Sequence, residues 1–178
     1  MRIVSLDPGS ANLGWSVIEV NPEGRFEVLR MQVAHPKIGK FETFNAKLNA
    51  TLEWLVEFWQ GVFDQYQPDQ VIWEIVPSFG QMGSSGAVIA CTTAFKVEVI
   101  RRGLPYTEYS ANFWKKSLTG SHKSSKAQVK EAVVQVVEAQ DLLSSGELDL
   151  RVGVDAFDSL AMSIVYLKDP KNQVGVKQ

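Results

Sequence analysis

The period of apolar and polar residues changes along the chain, and the changes divide it into strands and helices. Arg2 to Asp7 is a nearly continuous apolar run (Ile3, Val4, Leu6) ended by an acid, the pattern of a strand buried on both faces. Asp7-Pro8-Gly9-Ser10 reads as a turn in which Gly9 supplies backbone angles closed to other residues. Leu13 to Val20 and Phe26 to Ala34 read as two more strands, joined by Asn21-Pro22-Glu23-Gly24. Connections this short make the three an antiparallel meander.

The pattern then becomes helical. Phe41, Phe44, Leu48, Leu52, Leu55, Trp59, Val62 and Tyr66 recur at steps of three and four, an amphipathic stripe ended by Pro68. Gln70 to Ile75 reads as a buried fourth strand and Pro77 to Gly86 as a loop. Ala87 to Arg102 reads as a helix ended by Gly103, and Pro105 to Tyr109 as a fifth strand. Ser110 is placed to cap a short helix carrying Phe113, Trp114 and Leu118. Ser124 or Ser125 caps the next, with Val129, Val133, Val136 and Val137 on its buried side. An irregular stretch from Asp141 to Val154 precedes a last helix, Asp155 to Leu167. The expected architecture is α/β: a mixed five-stranded sheet with helices on both faces. It forms one domain over 1–168, followed by a mobile tail over 169–178.

Composition narrows the function classes. No apolar run is long enough to span a bilayer, and the strand beginning at Arg2 leaves no room for a signal peptide. Cys91 is the only cysteine, which excludes an internal disulfide, fits a reducing cytoplasm, and with only His35 and His122 argues against structural zinc. The net charge of −2 hides an uneven distribution, because Tyr109 to Lys130 contains no acid but holds Lys115, Lys116, Lys123, Lys126, Lys130 and His122.

Four acids stand where acids are costly. Asp7 closes an apolar strand, Glu74 interrupts another, and Asp155 and Asp158 open the apolar last helix. A buried carboxylate must be paired, hydrogen-bonded, protonated or bound to a cation. Asp155 and Asp158, three apart on one helix face, repel each other unless something positive lies between them. The set could hold two hard cations such as Mg²⁺, which activate water and stabilise the leaving oxygen of a phosphodiester. For the aspartate pair the structural alternative is an N-cap at Asp155 with Asp158 in an acidic first turn.

These motifs resemble those of the RuvC-type Holliday-junction resolvases. Leu6-Asp7-Pro8-Gly9-Ser10…Gly14-Trp15-Ser16-Val17-Ile18 resembles the family's opening motif. Val71-Ile72-Trp73-Glu74 resembles the second acidic motif, and Asp155-Ala156-Phe157-Asp158-Ser159-Leu160-Ala161 the closing helix. Trp114-Lys115…Gly120-Ser121 and Lys126-Ala127-Gln128-Val129 follow the basic segment in order. The resemblance implies an RNase H-like fold, a homodimer, and Mg²⁺-dependent endonuclease cleavage of four-way DNA junctions in the cytoplasm of a bacterium or a phage-infected host, with Mn²⁺ able to substitute. It makes Asp7, Glu74, Asp155 and Asp158 the metal-binding catalytic carboxylates. It makes Lys115 and Lys126 DNA contacts, with Lys126 closest to the scissile phosphate.

Lys116 and Lys123 are further candidates for phosphate contacts, whereas Lys130 reads as a solvated charge. Phe79 is the nearest aromatic after Glu74 and either packs its loop or meets bases. His122 either polarises a phosphate or sits in a mobile loop, and Trp114 reads as a core residue. Ser84-Ser85-Gly86 with Ala87 and Ala90 allows close helix approach, within the domain or across a dimer. Two other functional readings share the motifs: a branched-DNA or flap endonuclease of relaxed specificity, and an actin-like nucleotide-binding module, for which the chain is short.

Overall fold

The computed structural model describes residues 1–9, 12–36, 43–76, 82–139 and 151–173. The strands are β1 (Arg2–Asp7), β2 (Leu13–Val20), β3 (Phe26–Ala34), β4 (Gln70–Glu74) and β5 (Tyr106–Tyr109). They form one sheet in the order β3-β2-β1-β4-β5. β1, β2 and β3 are the expected antiparallel meander, and β4 and β5 add to it in parallel. Asp7 pairs with Gly14, Leu6 with Trp73, and Glu74 with Tyr109, so Asp7 and Glu74 end neighbouring parallel strands.

The helices are α1 (Phe44–Tyr66), α2 (Met82–Arg101), α3 (Ala111–Thr119), α4 (Lys126–Ala139), α5 (Val154–Lys168) and the short α6 (Pro170–Gln173). One sheet face carries a core in which Leu55, Trp59 and Phe63 of α1 meet Cys91, Phe95 and Val99 of α2 and Trp15 and Trp73 of the sheet. The other face carries α3, α4 and α5, with Trp114, Val129, Val133, Val137 and Phe157 packed on Ile3, Ile18 and Ile72. Both faces of the central strands are therefore covered, which is why β1 and β4 read as nearly continuous apolar runs.

Every residue of α5 from Ala156 to Val165 is buried, so its sequence lacks an outward polar stripe. Its serines serve that burial. The Ser163 and Ser5 hydroxyls lie 2.5 Å apart, tying α5 to β1, and Ser159 donates to the Ala156 carbonyl at 2.7 Å. The two elements that carry three of the four acids are thus joined by a buried polar bond as well as by packing.

Several expectations change in detail. Phe44 belongs to the expected apolar stripe of α1, yet it is 71% exposed, and the buried residues of that helix begin only at Leu55. Phe41 lies outside the described residues. α2 begins at Met82, inside the expected 77–86 loop, because Ser and Gly there do not prevent helix when the following turns are anchored in the core. Gly9 is not among the positive-φ glycines; a Cβ there would lie 2.0 Å from the Asn12 carbonyl oxygen, so close approach of backbone excludes a side chain. Lys130, read as a solvated charge, places its ammonium 4.8 Å from the Phe157 ring centroid. After Asp169 the chain forms α6, with the Asn172 amide donating to the Tyr166 carbonyl at 3.1 Å.

Candidate active site

Asp7 and Glu74 reach one end of the sheet, and the first turn of α5 is brought to the same place by Gly14. A Cβ on Gly14 would stand 2.0 Å from the backbone oxygen of Asp155, so only glycine lets α5 rest against β2 at this point. Carboxylate oxygens of Asp7, Asp155 and Asp158 consequently lie within 4.8 Å of one another. Asp155 is not the N-cap considered from sequence. Gly153 holds that position, no side chain caps α5, and the Asp155 carboxylate instead pairs with the Lys126 ammonium.

Glu74 stands outside that three-aspartate group. Its Oε2 accepts a 2.7 Å hydrogen bond from the indole N–H of Trp114. Its charge nevertheless reaches the others. The Asp7 carboxyl is pushed well above the ordinary carboxylate range, first by burial and then by the charges of Glu74 and Asp158, against the pull of Lys126. Burial is also the main reason that Asp158 rises to about 6. Glu74 is raised by burial, opposed by the Trp114 bond and by Lys115 and Lys126.

Lys126 opens α4, and Ser125 before it forms a reciprocal cap with Gln128: the Ser125 N–H donates to Gln128 Oε1 at 2.9 Å and the Gln128 N–H to Ser125 Oγ at 3.3 Å. The preceding turn is bound internally, with the Thr119 and Ser124 hydroxyls 2.6 Å apart and Ser124 Oγ donating to the Ser121 carbonyl at 2.9 Å. This frame carries the Lys126 ammonium to Asp155 and to 3.8 Å from Asp158 Oδ2. Burial works against that charge, but the bond to Asp155 and the charges of Asp155, Asp158 and Asp7 hold its proton more firmly than in a free lysine.

One ammonium does not satisfy this group. Asp158 Oδ1 is buried without a hydrogen-bond partner. An unpaired carboxylate oxygen beside two further acids calls for a cation, and a set made only of carboxylate oxygens suits hard divalent ions.

The basic residues divide by position. Lys115 lies beside the acids: its charge lowers the Glu74 and Asp158 pKa values, and its ammonium sits 5.4 Å from the Trp114 ring centroid. Lys116 is exposed on α3, and His122 and Lys123 are exposed in the turn before α4. Phe79 lies outside the described residues. Trp114 is buried as its pattern implies, but the sequence reading missed its bond to Glu74; the only available signal was its place beside Lys115 in the basic motif.

A family model described as crossover junction endodeoxyribonuclease RuvC matches residues 3–166. The chain belongs to the RuvC family. The RuvC crossover junction endodeoxyribonuclease of Delftia acidovorans is 28% identical over 169 residues, covering 93% of this chain and 84% of that protein. The RuvC of Azoarcus sp. strain BH72 is 30% identical over 171 residues, covering 93% and 81%. The structure of T. thermophilus RuvC in complex with Holliday junction substrate matches with a TM-score of 0.74 at 16% identity, covering 99% and 98% of the two chains. That likeness establishes the RNase H-like fold. Membership in the RuvC family makes this chain a nuclease and implies dependence on a divalent metal, with which the cluster of Asp7, Asp155 and Asp158 carboxylates is compatible.

Proposed function

We propose that this protein resolves four-way DNA junctions by paired phosphodiester hydrolysis, with Asp7, Glu74, Asp155 and Asp158 holding Mg²⁺, two ions in each active site, and Mn²⁺ able to substitute. The observation that carries the reading is the convergence of Asp7 from β1 with Asp155 and Asp158 from α5 on one place, with an unpartnered Asp158 oxygen among them and the charge of Glu74 from β4 acting on Asp7. Bound there, the ions would activate water and stabilise the leaving oxygen. The chain's own residues account for the rest. The acids hold the ions at the rim of a rigid sheet. Lys126 is poised to meet charge growing on the phosphate, and Lys115, Lys116 and Lys123 add sequence-independent attraction to the backbone. His122 and Phe79 belong to the same DNA-facing set in this reading.

Symmetric cutting needs two sites presented together, and a two-fold dimer supplies them. α2 offers a surface for it. Ile89, Val97 and Ile100 are exposed on that helix at a spacing that shares one face, and Tyr106 of β5 is exposed as well. Ile100, at 70% exposure, is a costly residue to leave in water. Ile100→Asp is expected to give monomers in light scattering at micromolar concentration and to replace paired cuts by single nicks. A variant that remains a dimer places the interface elsewhere. A cytoplasmic site of action accords with the lone, buried Cys91 thiol. Among the described residues no helix is long and apolar enough to cross a membrane.

The function is tested by incubating the protein with a synthetic four-way junction, a flap and a fork, with and without Mg²⁺, and mapping nicks on every strand. Paired, Mg²⁺-dependent nicks near the crossover of the four-way junction are expected. Equal cutting of all three substrates would mark a general branched-DNA nuclease instead.

A further inference from the structure

Trp114 occupies a position that packing alone does not explain. β5 ends at Tyr109, the partner of Glu74 in the sheet, and Ser110 then caps α3 by accepting from the Phe113 N–H at 3.3 Å. α3 therefore starts beside the end of β4, and its first turn brings Trp114, 1% exposed, against the Glu74 side chain. Trp15 and Trp59 are also buried, and their indole nitrogens have no hydrogen-bond partner. The core on the opposite face of the sheet thus accommodates tryptophan without an acceptor, whereas Trp114 makes a 2.7 Å bond to Glu74 Oε2.

An indole N–H donates and cannot accept. It engages Oε2 as an acceptor, so that Oε1 is the oxygen this bond leaves available to a cation. The Lys115 ammonium over the same ring draws on its electrons and strengthens the N–H as a donor. We propose that Trp114 is a positioning residue for Glu74: it engages one carboxylate oxygen and thereby presents the other, singly, to a divalent ion. The proposal rests on the reading of Glu74 as a metal-binding acid. Partners of this kind orient metal-binding side chains, and their loss commonly lowers metal affinity or activity by about 10–100-fold.

The test compares wild type, Trp114→Phe and Glu74→Gln. Phe retains a ring in the core and removes the donor. Mn²⁺ binding is read by electron paramagnetic resonance without DNA, and single-turnover cleavage is read at saturating protein. Trp114→Phe is expected to weaken Mn²⁺ binding and slow cleavage, each by about 10-fold, with junction affinity unchanged. In a Glu74→Gln background it should lower Mn²⁺ affinity no further. A purely structural role would give equal losses in both backgrounds and would overturn the proposal, as would wild-type Mn²⁺ affinity in Trp114→Phe. If Glu74→Gln itself bound Mn²⁺ and cut as wild type does, the reading of Glu74 would fail first. A second measurement does not require the Phe variant to fold. The ¹⁵N-indole resonance of Trp114 in the folded protein should move on Mg²⁺ addition and in Glu74→Gln, and a resonance indifferent to both would overturn the proposal.

Discussion

Asp7→Asn is expected to reduce junction cleavage by about 10³-fold or more while leaving junction binding intact. Metal ions contribute several kcal/mol of charge stabilisation to reactions of this kind, and each ~1.4 kcal/mol is a factor of ten in rate. Asp7 stands at the centre of the group: it shares the three-aspartate cluster, and the charges of Glu74, Asp155, Asp158 and Lys126 all act on it. Asparagine has the same shape and lacks the charge, so the fold and the lysine-bearing surface remain. Cleavage by Asp7→Asn at the wild-type rate in Mg²⁺ would refute the assignment.

The same variant is expected to be more stable than wild type when metal is chelated. Burial and neighbouring acids raise the folded-state pKa of Asp7 above its unfolded value. The folded state therefore takes up this proton more readily, and the contribution to stability is complete below the unfolded pKa and lost as pH rises through the folded one. Asp158 behaves likewise, with a window from its usual 3.8 to about 6. Thermal melts in a chelator should show wild type losing stability as pH rises above about 4, and Asp7→Asn losing less. Adding Mg²⁺ at neutral pH should raise the wild-type melting temperature by mass action and leave the variant nearly unmoved. Identical pH dependence in the two proteins would show that Asp7 does not carry the strain.

The strands were legible because their apolar runs follow the local pattern, whereas the adjacency of β1 and β4 is a long-range pairing that the pattern does not carry. Arg2 to Asp7 alternates little because both sheet faces are covered, and β4 reads the same way for the same reason. The four acids stood out as violations of those patterns. What the pattern does not carry is the direction of a side chain once it leaves its element. Asp155 could cap α5 or face a cation, and the choice turns on Gly153 and on the reach of Lys126 from α4, remote in sequence. Trp114 satisfied the apolar pattern of α3 completely, so nothing in its spacing pointed to the indole N–H or to Glu74. The exposure of Phe44 was hidden in the opposite way: it fits the helical stripe in sequence, but the part of α1 that is buried begins only at Leu55.

Lys126→Ala is expected to slow single-turnover cleavage at saturating protein by about 10²-fold while changing junction affinity little, a loss comparable to removing one preorganised donor from a developing anion. Lys126 pairs with Asp155 and lies 3.8 Å from Asp158 Oδ2. A metal ion held by these carboxylates would compete with this ammonium for them and would leave it available to a bound phosphate. Two consequences separate this role from a general DNA contact. Removing the competitor should leave Mn²⁺ binding as tight as in wild type or tighter, even as cleavage falls. The salt dependence of junction binding should change less than in Lys116→Ala, whose exposed charge contributes attraction to the backbone and about one unit of slope. Recovery of the full rate by Lys126→Ala once the junction is saturated would reduce Lys126 to a binding residue and would require another cation, with Lys115 the nearest candidate by its influence on Glu74 and Asp158.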